Sequence, residues 1–172
     1  MKKIILLLLL FSGFVAQAQY GYGNRQNQRQ RQNQQRQQRP QKPKFDARKY
    51  LGFVNYDIEK AAKKTGLKTS SDVGKKFVHI LKEYNNSTNQ IQRINSFTLK
   101  SMKGLVESSQ KKVMDGGDPS TLQTVQKTVQ ESFKPIADTL KEEREKLHKT
   151  LETLLSKKQF QKWQKFDRKV RK

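Results

Sequence analysis

The chain has 172 residues, no cysteine and a formal net charge of +22. The lack of cysteine excludes disulfides, thiolate metal ligands and cysteine nucleophiles, so side-chain packing or a partner must stabilise the folded part. The excess of lysine and arginine favours anionic partners, which include acidic proteins, acidic polysaccharide, lipid phosphate and nucleic acid.

The first 18 residues have the pattern of a secretory signal. Two lysines precede an apolar run over residues 4–15 that is too short to span a bilayer comfortably. Residues 16–18 read Ala-Gln-Ala, which matches a small-x-small cleavage site. The sequence therefore predicts export to the periplasm or the extracellular space, with cleavage after Ala18. The alternative is an uncleaved anchor.

Residues 19–44 form a low-complexity segment with five Arg, two Lys and no acidic residue. It has no apolar side chain after Tyr22, so burial cannot offset the entropy lost on ordering, and we expect disorder. The segment is either a solvated tether or an arm that binds anionic polymers. In the second interpretation the candidate binding residues are Arg25, Arg29, Arg31, Arg36 and Arg39.

From Phe45 onward, apolar residues recur every three or four positions, which predicts an all-α domain over residues 45–172. The first predicted helix is capped by Asp46, continues through an apolar stripe that includes Val54, and stops at Gly66. A second, long helix is expected from Val73 to Val113, with a bend or local fraying near residues 85–88, where polar side chains replace the apolar ones.

The third predicted helix spans Leu122 to Leu154, and Pro135 inside it predicts a kink near Ser132–Lys134 rather than a break. The preceding sequence DGGDP supplies two glycines, a capping Asp118 and a proline for the first helical position. Each helix has one narrow apolar stripe, so we expect long antiparallel helices with a shallow core. A homodimer would hide the rest of the stripe and is favoured over a monomer.

A capping box lies between the third helix and the last one. Ser156 can accept from the backbone of Gln159, whose side chain can reach back, and Leu155 can pack against Phe160. This combination predicts a helix start at Ser156. The alternative is a chance match inside one continuous helix.

The sequence Leu155-Ser156-Lys157-Lys158-Gln159 resembles the Leu-Thr-x-x-Gln signature of the Spy/CpxP family of small, exported, all-helical bacterial proteins. Ser replaces Thr and keeps the hydroxyl. The family pattern usually has a second motif, but residues 66–71 keep only the Leu and the hydroxyls. The resemblance implies a cradle-shaped dimer of long, bent helices. It also implies that a basic, partly apolar surface holds unfolding proteins without ATP, or that the protein reports envelope stress to a sensor kinase.

The last helix combines an aromatic stripe with many cations. It packs its stripe onto its own protein, lies on a membrane or lipopolysaccharide surface, or binds nucleic acid, although export argues against the last partner. The candidate binding residues are Lys157, Lys158, Lys162, Trp163, Lys165, Phe166, Arg168 and Lys169.

Two histidines lie beside carboxylates on helix faces, His79 with Glu83 and His148 with Glu145 and Glu152. These groupings are expected to be solvated ion pairs, and weak metal sites are the alternative. There is no Ser-His-Asp arrangement and no glycine-rich phosphate loop, so neither an enzyme nor a cofactor is expected.

The leading interpretation is a chaperone-like or stress-adaptor protein for unfolded or acidic clients. The alternatives are an envelope polyanion or membrane-surface binder, and a structural subunit of an envelope assembly.

Overall fold

The computed structural model describes residues 44–171. The predicted signal, its cleavage site and residues 19–43 of the low-complexity segment, with all five of its arginines, lie outside these residues. All regular structure within 44–171 is helical and no strand occurs there, so the all-α prediction is confirmed for this part. The six helices are α1 Ala47–Leu51, α2 Ile58–Thr65, α3 Asp72–Ile94, α4 Ser96–Met114, α5 Ser120–Leu154 and α6 Lys157–Val170.

The first predicted helix is in fact two helices. Asp46 caps α1 as expected, but α1 ends at Gly52, which has a left-handed φ of 70°. An extended segment follows, and Asp57 then caps α2 by accepting from the Lys60 backbone at 3.0 Å. The prediction of one continuous helix was wrong because Gly52 and Asp57 supply a stop and a new start inside the apolar stripe. Gly66 ends α2, as predicted.

The second predicted helix is interrupted at a different place from the one expected. It is unbroken over residues 85–88, and the interruption falls at Asn95, between α3 and α4. Asn85 accepts from the backbone N–H of Tyr56 at 2.8 Å and donates to its carbonyl at 2.9 Å. The prediction of fraying was wrong because Asn85 is held by the extended segment before α2, a partner that is distant in sequence.

The start of α5 is as expected to within one residue. Asp118 accepts from the Ser120 backbone at 2.8 Å, and the helix begins just after Pro119. Pro135 lies inside the 35-residue helix without ending it.

Two groups of buried side chains lie along α5. The C-terminal cluster joins α2, the start of α3, the end of α5 and α6, and the α4 cluster joins α1, the end of α3, α4 and the earlier part of α5. Since the start of α3 meets the end of α5, while the end of α3 meets its earlier part, α5 runs antiparallel to α3. The C-terminal cluster consists of Val54, Tyr56, Ala61, Ala62, Phe77, Leu81, Tyr84, Leu147, Leu151, Leu155, Trp163 and Phe166. The α4 cluster consists of Ala47, Leu51, Ile91, Leu99, Val106, Val125, Val129, Phe133, Ile136 and Leu140.

Candidate functional site

Ser156 begins α6 through a complete capping box. Its hydroxyl accepts from the Gln159 backbone at 3.4 Å, and the Gln159 side chain accepts from the Ser156 backbone at 3.1 Å. Leu155 is buried in the C-terminal cluster, and Phe160 packs against the same cluster. The predicted helix start is therefore confirmed, and the chain turns at this point to return along its own core.

The aromatic stripe of α6 faces the protein interior. Trp163 is fully buried, with its ring centroid 4.9 Å from Tyr56 and 5.9 Å from Phe77, the latter in an edge-on arrangement. Phe166 is buried beside them. Trp163 and Phe166 were candidate partner-binding residues, and the structure corrects this assignment because both rings are covered by the protein's own side chains. The interpretation in which α6 packs onto its own domain is the one observed.

The opposite face of α6 is exposed and carries positive charge only. The acidic residue of this helix, Asp167, is buried, so no carboxylate accompanies the cations at the surface. Among residues 44–171, none of these cations lies within ion-pair distance of a carboxylate. The exposed cations are the remaining predicted candidates of this helix, Lys157, Lys158, Lys162, Lys165, Arg168 and Lys169.

Asp167 is the centre of a buried polar network that the sequence did not indicate. Its carboxylate accepts from the Tyr56 hydroxyl and from Arg171 Nε at 2.6 Å, and lies 3.2 Å from His148 Nε2. Arg171 also donates to the hydroxyls of Tyr56, at 2.7 Å, and Tyr84, at 3.4 Å. The network joins the end of α6 to α3, α5 and the extended segment before α2.

The electrostatics of this network keep the pair Asp167–Arg171 charged. Burial acts to raise the pKa of the Asp167 carboxyl, but hydrogen bonds from His148 and Tyr56 and the charge of Arg171 outweigh it and lower the pKa to about 2. Burial raises the pKa of the Tyr56 phenol far above its ordinary value. Tyr56 therefore stays a neutral donor to the ionised Asp167 carboxylate.

A second surface feature lies at the junction of α3 and α4. Phe97 is 82% exposed and Ile94 is 69% exposed, on either side of the break at Asn95. Among the Phe, Tyr and Trp side chains of residues 44–171, Phe97 is the one that is exposed, since the others are buried or half-buried. The exposed cations Arg93 and Lys100 flank this pair in sequence. We call Ile94 and Phe97 the apolar junction.

The two histidines have different surroundings. His79 lies 3.3 Å from Glu83, and both side chains are exposed, as expected for a solvated ion pair. His148 instead contacts Asp167, so its predicted pairing with Glu145 and Glu152 was wrong. Among residues 44–171, no three side chains of the metal-ligating types come together.

Comparisons with family models, curated proteins and solved structures found no match to this chain. Within the described part, no helix has the length and apolarity needed to cross a membrane.

Proposed function

We propose that this protein is an exported, ATP-independent, chaperone-like or stress-adaptor protein that binds unfolded or acidic polypeptides. The apolar junction carries the proposal. Exposed large apolar side chains beside cations offer long-range attraction to acidic clients together with an apolar contact. The predicted signal and the Leu-Ser-x-x-Gln motif support a periplasmic location and a Spy/CpxP-like role.

The strength of the contact suits a protein that releases its clients. Burial of one large apolar side chain contributes roughly 1.5–3 kcal/mol. A dissociation constant of 1 mM corresponds to about 4 kcal/mol. Phe97 and Ile94 together therefore support only weak, exchangeable binding of each client segment, which repeated contacts along an unfolded chain would reinforce.

A client is a better occupant of the apolar junction than a second copy of the protein. A two-fold contact centred on Phe97 would bring Arg93 and Lys100 of both copies together, and like charges would repel. The predicted cradle-shaped homodimer stays a prediction. Sedimentation equilibrium of the exported chain, which is residues 19–172 after the predicted cleavage, tests it. If it forms, we expect its interface to lie elsewhere.

The deciding experiment measures aggregation of several unrelated, chemically unfolded clients without ATP. We expect stoichiometric amounts of the protein to suppress aggregation, and Phe97→Ser to reduce this suppression severalfold. Met114→Ser is the matched control, because Met114 is 55% exposed and lies at the other end of α4. Equal aggregation with and without the wild-type protein would refute the function. Full suppression by Phe97→Ser would refute the site.

Two alternatives remain as proposals: an envelope polyanion or membrane-surface binder, and a structural subunit of an envelope assembly. The membrane-surface binder loses its predicted apolar anchors, because Trp163 and Phe166 are buried. A structural subunit would be recognised by co-purification with one stoichiometric envelope partner.

A further inference from the structure

Four lysines form a straight row along the exposed face of α6. Lys158, Lys162, Lys165 and Lys169 have the spacing i, i+4, i+7 and i+11, which places them on one side of a helix. Their Cβ atoms are separated by about 5–6 Å from one to the next. The row is about 16 Å long, from a rise of about 1.5 Å per residue. We call these four residues the lysine row.

The row is not neutralised by the protein itself. Asp167 is occupied by its buried partners, and the α6 surface has no other carboxylate. On α5, by contrast, exposed lysines alternate with glutamates, and Lys141 lies 3.9 Å from Glu145. Lys162 Nζ lies beside Gly66, 3.3 Å from the place a Cβ there would occupy, at the end of α2, whose last turn carries Lys63 and Lys64. A bound anion would reduce the mutual repulsion among the four lysine charges.

The lysine row is held in place before any ligand arrives. The capping box fixes the start of α6, the rings of Trp163 and Phe166 fix its middle, and the ion pair of Asp167 with Arg171 fixes its end. A preformed row loses less conformational entropy on binding than cations on a mobile segment.

The chemistry of the row selects among anionic partners. With Trp163 and Phe166 turned inward, no fully exposed aromatic ring on α6 can stack on a nucleic-acid base or enter a bilayer. Lysine is a point charge without the planar fork of arginine, so it tolerates many ligand geometries. A polyphosphate carries a charge at every repeating phosphorus atom, whereas the charged groups of an acidic polysaccharide are separated by whole sugar rings, so polyphosphate has the higher charge density along its chain. We propose that the lysine row binds a flexible, linear polyphosphate chain.

The test measures binding of a long-chain inorganic polyphosphate to the exported chain over a series of salt concentrations. We expect the double variant Lys162→Gln/Lys165→Gln to bind at least tenfold more weakly. The slope of log K against log salt should fall by about 1.4, at about 0.7 per contact removed. The matched control is Lys141→Gln/Lys149→Gln on α5, which removes the same charge. It should stay within twofold of wild type.

Equal weakening in both double variants would overturn the proposal, because binding would then follow net charge alone. Unchanged binding in the row variant would overturn it as well. Equal or tighter binding to single-stranded DNA or to phosphatidylglycerol vesicles would replace polyphosphate by that ligand. All substituted lysines are exposed, so helical circular dichroism should be unchanged.

This inference is independent of the proposed function. Phe97→Ser should keep polyphosphate binding, and the row variant should still suppress aggregation in polyphosphate-free buffer.

Discussion

Asp167 shows how one side chain can connect parts of the chain that are far apart in sequence. Its partner Tyr56 lies 111 positions away in the sequence. Arg171 donates hydrogen bonds to both Asp167 and Tyr56, and it lies 115 positions from Tyr56. No local pattern contains this information, because α6 alone shows only an acid among many cations. The buried charge is tolerated because it is paired and fully hydrogen-bonded.

Replacement of Asp167 by Asn should change the pH dependence of stability. The pKa of the carboxyl falls from an ordinary 3.8 to about 2 on folding, so the ionised group stabilises the protein above pH 4. That stabilisation, about 2 kcal/mol, is lost as the pH falls from about 4 to about 2. We therefore expect Asp167→Asn to be less stable than wild type at pH 6, with a difference that shrinks by this amount at pH 2.

Urea unfolding at a series of pH values measures this difference. Tyr56, Tyr84, His148 and Arg171 face the site and are unchanged in the variant. Asp138→Asn is the control, because Asp138 is exposed and forms no ion pair among the described residues. A difference between Asp167→Asn and wild type that stays constant from pH 6 to pH 2 would contradict the assignment.

At the scale of single elements, the prediction succeeded where the signal was local and failed where a tertiary partner decided the outcome. The start of α6 at Ser156 and the end of α2 at Gly66 follow from side-chain and backbone chemistry within a few residues. The fraying expected near Asn85 is not observed, because the side-chain amide of Asn85 is hydrogen-bonded to the backbone of Tyr56. The split between α1 and α2 was missed because Gly52 lies inside an otherwise regular apolar stripe.

Ser156→Ala should destabilise the protein by about 1 kcal/mol, because the first backbone donors of α6 lose their cap. Thermal and urea unfolding measure this loss. Ser70→Ala is the matched control, since Ser70 is exposed and makes no side-chain hydrogen bond within the described residues. Equal stability of the two variants would mean that the cap contributes nothing.

Two helical glycines should respond in opposite directions to the same substitution. Gly104 lies inside α4, where a Cβ would meet no atom within 4 Å, so Gly104→Ala should stabilise the protein by about 0.5–1 kcal/mol. Gly74 lies in the first turn of α3, where a Cβ would lie 2.0 Å from the Lys68 carbonyl oxygen. Gly74→Ala should therefore destabilise the protein, and urea unfolding of both variants compares them. A gain in stability for both would contradict the close approach at Gly74.

For the whole molecule, the class of fold was predictable and the arrangement of its two clusters was not. Periodicity identifies an apolar face on each helix, but it does not say which faces meet. The pairing of faces determined which candidate residues are accessible, because the aromatic stripe of α6 packs inward while its cations lie at the surface. The apolar junction was missed for a related reason, since Ile94 continues the three-to-four-residue spacing of the apolar stripe in the second predicted helix.

The two clusters should respond separately to mutation. Trp163 lies in the C-terminal cluster and Phe133 in the α4 cluster, and both rings are almost fully buried. Truncation of either to Ala should remove about 3–5 kcal/mol of stability. Because no side chain belongs to both clusters, we expect Trp163→Ala to speed amide hydrogen exchange mainly in α2, α6 and the end of α5. Phe133→Ala should speed it mainly in α4 and the start of α5. If both variants accelerate exchange equally in all six helices, α5 couples the clusters into one cooperative unit and the separation is refuted.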